Sequence, residues 1–273
     1  ALVATGKPVV MVVMAGRPLT IGRQVEQAAA VLYAFHGGTM AGPGLANVLT
    51  GKAVPSGRLP ITFPKMVGQI PLYYNRHNTG RPSYDPPMLI DSIPIGCPQF
   101  SIGQSSYWLE TPTEPLFPFG FGLSYTTFEY GSTRIDTLPF REGHGVGYSL
   151  SCAITNTGKT DAYEVAQLYT HQKSGYMVRP LKELKGFEKV FIPAGESRTV
   201  TFTLTEEQLG YWHEKFSITN NQSPITNNQS PITNNQSPIT AHRYFFATDA
   251  AEYELWIAPD SRCQTTPVQL TLK

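Results

Sequence analysis

Three groups of residues in this 273-residue sequence are of types that do chemistry. The first is "ANVLTGKA", residues 46–53, where Gly51 and Lys52 stand as the Gly-Lys pair of a phosphate-gripping loop. The second is "AFHGGTMAGPG", residues 34–44: His36 can donate, accept or carry a proton, and Thr39 can hydrogen-bond a ligand from among glycines. The third is a scatter of acids, Asp85, Asp91, Glu110 and Glu114, of which two would have to be brought together to divide acid and base roles between them.

The elements that must position these groups decide between them. A phosphate loop follows a strand, opens a helix and continues Gly-Lys into Ser or Thr. Here Leu45, Val48 and Leu49 fall at i, i+3 and i+4, so the helix precedes Gly51; position 53 is Ala, without a hydroxyl for magnesium, and Pro55 follows. Gly51 is therefore expected to be the left-handed residue that stops a helix, with Lys52 near that helix's negative end. The apolar runs at residues 8–14 and 30–35 are too short for helices and do not alternate. They read as parallel strands covered on both faces by helices, one of them in "TIGRQVEQAAA". His36 then follows the C-terminal end of such a strand, where open α/β sheets place ligands. The competing reading is a histidine that only fixes its loop by hydrogen bonds, since position in a fold is a weak warrant for function.

Between residues 70 and 116 eight prolines, from Pro71 to Pro115, cut regular structure short and indicate a connector or long loop. The four acids fall here and read as solvated or Arg-paired loop residues. Tyr73, Tyr74, Tyr84, Tyr107 and Trp108 can stack on sugar rings, although such aromatics more often pack a connector onto its neighbours. Beyond residue 125, "GYSLSCAIT", "AYEVAQLYT", "KGFEKVFI", "RTVTFTLT" and "YELWIA" alternate with turn sequences, which predicts six to eight antiparallel strands in a sandwich of immunoglobulin or fibronectin type III size. In "LKGFEKV" Leu184 and Phe187 are three apart and fall on opposite faces unless a bulge at Gly186 brings them to one side. Three copies of "ITNNQS" at 218–237, with Pro closing most units, read as an exposed loop; Asn221, Asn228 and Asn235 formally match glycosylation acceptors, but an expanded repeat is the simpler account.

The 21 basic and 20 acidic residues nearly cancel and form no long run, which argues against a nucleic-acid partner. The longest apolar run, "VVMVVMA", is far short of the ~20 residues that span a bilayer. Cys97, Cys152 and Cys263 are too dispersed for a zinc knuckle or a redox pair and allow one bridge at most; no metal or other cofactor is expected. The opening "ALVATGKPVVMVVMAG" has no basic leader and reads as the middle of a fold.

From "VPSGRLPITFPKMVGQIPLYYN" outward, the sequence resembles glycoside hydrolase family 3. Upstream, "GKPVVMVVMAGRPL" and "AVLYAFHGGTMAGPGLANVLTGKAVPSG" resemble the second half of that family's α/β sandwich domain. Downstream, "PLFPFGFGLSYTTFEY" and "RPLKELKGFEKVFIPAGESRTVTFTLT" resemble its fibronectin type III-like domain. "NTGRP" at 78–82 and the long connector most resemble the periplasmic β-glucosidase branch. The resemblance implies the C-terminal part of an α/β sandwich over residues 1–75, a Pro-rich connector over 76–124 and a fibronectin type III-like domain over 125–273, with the repeats in a loop at 217–240. It also implies a retaining β-glucosidase, whose two carboxyl groups stand about 5 Å apart. In the family these lie on a (β/α)8 barrel and on a sandwich loop, both upstream of Ala1. The chain is thus expected to carry no catalytic residue, to be inactive alone, and to work with a missing barrel and sandwich half, in cis or as a separate chain, in the periplasm or outside the cell. His36 and Thr39 are its substrate-adjacent candidates, while Arg58, Arg179 and Lys185 are expected to hold structure, Arg58 at the entry to an edge strand. The alternative is a stand-alone carbohydrate-binding or interaction module.

Overall fold

In the computed structural model of the chain, residues 1–78, 80–81, 88–98, 110–141, 145–215 and 243–272 are described. Tyr84, Asp85, Tyr107, Trp108 and the "ITNNQS" repeats lie outside them.

The first apolar run forms β1 (Val10–Val13) and the second forms β2 (Ala30–Tyr33), paired in parallel with Val10 opposite Ala30. α1 (Gly22–Gln27) makes the crossover and α2 (Ala41–Leu49) follows β2. The expected covering of both strand faces is not present: no residue of β1, β2, α1 or α2 is fully buried, and Val10 and Leu49 are exposed. Two strands and two short helices have too little surface to enclose a sheet between them. α2 ends as its sequence requires. Gly51 takes φ 75°, and its N–H donates to the Val48 carbonyl at 3.0 Å while Ala53 N–H donates to Asn47 at 3.0 Å, closing the helix's last carbonyls.

"SGRLP" does not enter an edge strand as expected. Leu59 and Phe63 make backbone hydrogen bonds with Phe121, Gly120, Phe117 and Leu116, but only as an isolated bridge at Phe63 and Phe117. Pro60 and Pro64 remove donors on either side, so no ladder can propagate.

The β blocks form strands as their alternation predicts, but ten of them among the described residues rather than six to eight: β3 (Phe128–Tyr130), β4 (Arg134–Arg141), β5 (Gly145–Asn156), β6 (Ala162–Gln172), β7 (Glu183–Ile192), β8 (Ser197–Thr205), β9 (Tyr211–Lys215), β10 (Arg243–Ala247), β11 (Glu252–Ala258) and β12 (Val268–Thr271). One sheet has β5 at its centre, with β8 along one edge and β3 and β4 sharing the other. The second runs β12-β11-β6-β7, and β9 with β10 forms a separate hairpin in which Lys215 pairs with Arg243. The two large sheets enclose the core: Leu150, Cys152 and Ile154 from β5 and Val200 and Leu204 from β8 meet Leu168, Leu255 and Ile257 from the opposite sheet. These residues recur every second position along each strand, as a sandwich requires.

Of the bulge or bend that would bring Leu184 and Phe187 to one side, a bulge is present, next to Gly186. Between Leu168 and Tyr169 of β6 the partner steps from Gly186 to Leu184, leaving Lys185 as the extra residue. Leu184 and Phe187 consequently stand on the same outer face as Tyr169 and Gln167.

That outer face is where the connector docks. Tyr74 stacks on Phe119 with centroids 4.2 Å apart, meets Tyr169 edge-on, and its hydroxyl accepts the Leu184 N–H at 3.4 Å. The Gln167 side chain donates to the Gly120 and Pro259 carbonyls at 3.1 and 2.5 Å. Arg58 forms the tie between the α/β part and the sandwich: its guanidinium donates to the Gly122 carbonyl at 2.7 Å and pairs with Glu164, which is fully buried and also accepts from the Tyr130 hydroxyl at 2.8 Å. Burial, the Glu164 charge and this hydrogen bond push the Tyr130 phenol far above its usual range.

Candidate functional site

The parallel pairing of β1 and β2 puts both C-terminal ends at one edge, and the pairing extends one step beyond them through Ala34 N–H to the Val13 carbonyl at 2.8 Å. The loop after β1 (Met14, Ala15, Gly16, Arg17) and the loop after β2 (Phe35 to Met40) therefore lie side by side. Tyr33 locks the first loop to the second strand by donating its hydroxyl to the Arg17 carbonyl at 2.5 Å. Its phenol is held above its usual value by burial. The Tyr33 ring stands edge-on to Phe35 and to the buried Phe63, with centroids 4.9 and 4.8 Å away.

Phe35 is one of three non-glycine residues with positive φ among those described, at 47°. A bulky side chain in this region costs on the order of 1–3 kcal/mol and persists only where its surroundings hold it. Here the Tyr33 ring does so, and the sharp reversal at Phe35 turns His36 across the mouth of the other loop. The His36 imidazole rests on Gly16, so closely that a side chain at Gly16 would collide with its Nε2. No side-chain hydrogen bond fixes His36 among the described residues; it is placed by packing, contrary to the reading of a histidine that fixes its loop by hydrogen bonds. His36 and Thr39 are both exposed, and Gly38 at φ 63° lets the loop run into α2, whose first residue donates to the Gly38 carbonyl at 3.2 Å. The strand-end edge thus presents an imidazole ring, a hydroxyl and glycine backbone to one side of the fold.

The described connector acids do not assemble a second centre. Asp91, Glu110 and Glu114 are exposed, and among the described residues no group of three or more His, Cys, Asp and Glu side chains is arranged to hold a metal ion. All three cysteines are free thiols. No helix among the described residues is long and apolar enough to cross a membrane. Of the aromatics, Tyr74 packs the connector as described, whereas Tyr73 is exposed. Arg179 and Lys185 hold structure as expected. Both pair with Glu183, at 2.9 and 3.5 Å, and Arg179 lies over the Tyr211 ring at 4.1 Å. The sequence reading missed Phe35, whose conformation nothing in its neighbours signals. It also missed Glu164, although a lone acid on the inward phase of "AYEVAQLYT" is a readable sign of a buried charge needing a partner.

Comparison with known proteins matches residues 1–125 to the glycosyl hydrolase family 3 C-terminal domain and residues 164–219 to a fibronectin type III-like domain. Among curated relatives, a periplasmic beta-glucosidase of Salmonella typhimurium is 41% identical over 79% of this chain and 26% of its own length. A beta-xylosidase of Formosa agariphila is 38% identical over 77% of this chain and 26% of its own length. The chain thus spans about a quarter of the length of these relatives. Among solved structures, a beta-glucosidase from Listeria innocua in complex with gluconolactone superposes with TM-score 0.73 and 30% identity, over 99% of this chain and 31% of that one. A b-glucosidase from Erythrobacter marinus gives 0.72 and 29%, over 100% and 29%.

Proposed function

The chain belongs to glycoside hydrolase family 3, and from that premise we propose that it is the C-terminal portion of a retaining β-glucosidase-type enzyme, hydrolysing terminal β-D-glucosyl residues in carbohydrate metabolism. The observation that carries the reading is the likeness to beta-glucosidases along both the α/β part and the sandwich, with the His36 loop held at the C-terminal edge of the parallel strands.

In this reading the residues divide into an α/β part (1–75), a connector (76–124) and a fibronectin type III-like domain (125–273). Retention needs a nucleophile and an acid/base carboxyl group. Both are supplied by preceding polypeptide, a (β/α)8 barrel and the remainder of the sandwich domain, in cis or as a separate chain. Exposed apolar side chains on the α/β part, among them Val10, Met14, Met40 and Leu49, support such a covering partner. His36 and Thr39 contribute from the edge of the substrate site, His36 by hydrogen bonding to a sugar hydroxyl and Thr39 through its own hydroxyl. The periplasm or the extracellular space is the corresponding location, in line with the name of the Salmonella relative.

The test is hydrolysis of an aryl β-glucoside. The 273 residues alone should show none, and activity should appear when the barrel-bearing polypeptide is supplied. In that assembled enzyme His36→Ala should lower kcat/KM about tenfold, the effect of one lost hydrogen bond to substrate. Robust turnover by the isolated chain would overturn the division of labour.

A further inference from the structure

A cleft of about 290 Å³ opens where the connector meets the outer face of the second sheet, lined in part by Tyr73, Tyr74, Arg76, Glu114, Lys182 and Arg262. Its walls are fixed. Tyr74 is stacked on Phe119 as described, and the Arg76 carbonyl accepts the Leu181 N–H at 2.9 Å, clamping the two sides together. Lys182 is held with its ammonium 3.6 Å from the centroid of Trp256. Arg262 is oriented by Asp260, which accepts from its Nε and Nη2; Nη1 makes no contact with that carboxylate, and the side chain remains 45% exposed.

Three cationic residues, Arg76, Lys182 and Arg262, therefore line one opening. The carboxylate of Asp260 serves Arg262, while the side chains of Arg76 and Lys182 have no carboxylate partner among the described residues. Glu114, the one acid lining the cleft among the described residues, is exposed and likewise has no cationic partner among them. Tyr73 lines the same opening and is 64% exposed. Each feature selects a different part of a ligand. Cations select an anionic group, a planar guanidinium above all a carboxylate or phosphate. A free carboxylate accepts hydroxyl donors, and an exposed phenol ring offers an apolar face to the C–H side of a pyranose. A bare phosphate would gain nothing from Tyr73 and would be repelled by Glu114. A neutral sugar would leave the positive charge unanswered.

We propose that this cleft binds a carboxylated sugar, its carboxylate between Arg76 and Lys182, its ring against Tyr73 and a hydroxyl donating to Glu114. The volume suits a monosaccharide or the end of a glycan, being below the usual range for larger ligands. The proposal does not depend on the catalytic reading, because it uses none of the residues placed at the edge of the substrate site.

The test is calorimetric titration of the intact 273-residue chain with D-glucuronic acid, D-glucose and acetate. Glucuronate should bind saturably and at least about tenfold more tightly than either glucose or acetate, since it alone uses both halves of the site. Raising salt should weaken it several-fold, as for an exposed charge pair. Arg76→Ala and Tyr73→Ala should each weaken glucuronate about fivefold or more. Both alter exposed side chains, so their melting temperatures should match the wild type and report directly on binding. Glucuronate binding no tighter than acetate would overturn the sugar assignment. Failure of glucuronate to saturate, or unchanged affinity in both variants, would overturn the site.

Discussion

Replacing Arg58 by alanine should destabilise the chain more than any other single change at the join between the α/β part and the sandwich. The Glu164 carboxylate is fully buried, and without Arg58 it keeps one donor, the Tyr130 hydroxyl at 2.8 Å. Stranding one member of a buried ion pair costs about 3–5 kcal/mol, and the Gly122 carbonyl would lose its donor for roughly another 1 kcal/mol. Arg58 is itself 10% exposed, so water can follow the truncated side chain inward and moderate the loss. The expected total is therefore about 3 kcal/mol, over a hundredfold in the folding equilibrium constant. Urea unfolding followed by tryptophan fluorescence measures it. A double-mutant cycle with Arg58→Met and Glu164→Leu separates the pair from the packing: each single change should be strongly destabilising, and the double change should recover most of the loss, because an apolar pair of similar volume strands no charge. A loss below about 1 kcal/mol for Arg58→Ala would refute the argument, placing the pair among solvent-screened surface contacts. So would a double variant as unstable as the sum of the singles.

Gly122→Ala should cost about 2 kcal/mol in the same unfolding assay, since its new methyl group would press on the Gly57 carbonyl oxygen and come within 2.9 Å of Arg58 Nη1; a neutral result would mean that this crossing is slack. Ellman's reagent at pH 8 should titrate one thiol rapidly, the half-exposed Cys97, and the buried Cys152 and Cys263 only on unfolding; a second fast thiol would contradict the packing. Burial pushes the Cys263 thiol up to about 12, above the 9.0 of a free thiol, so the folded chain keeps its proton longer. The stability this confers is complete below about pH 9 and is lost between about pH 9 and 12, at up to ~1.4 kcal/mol per pH unit. Unfolding curves of Cys263→Ala should lack that component of the alkaline slope, and parallel pH dependences in the two proteins would refute it.

What was legible in the sequence follows the range of the interactions involved. Alternation in "RTVTFTLT" or "YELWIA" is a local consequence of the pleat, so β8 and β11 could be read directly, and Gly51 announced the end of α2 because its left-handed backbone is a property of one residue. "SGRLP" failed as a strand because its partner is a second irregular segment at 116–121, and Pro60 and Pro64 prevent a ladder from propagating. The join between Arg58 and Glu164 spans 106 positions, and local pattern cannot name a partner at that distance. The cleft was invisible for the same reason: Arg76, Lys182 and Arg262 come from three stretches, each looking like ordinary surface charge until the connector lies down on the sheet. His36 was flagged by its place after a strand, yet what aims it, the Phe35 reversal braced by Tyr33, leaves no compositional trace.

The hairpin of β9 and β10 bears on how this gene can change. Lys215 and Arg243 face each other across the ladder, so the stretch holding the "ITNNQS" copies leaves and re-enters the fold at neighbouring backbone positions. For flexible loops in general, doubling the length costs only about 0.6 kcal/mol in closure entropy. The pairing of Lys215 with Arg243 therefore sets the register of the hairpin from its described strands alone, and a copy added or removed between them would leave that register as it is.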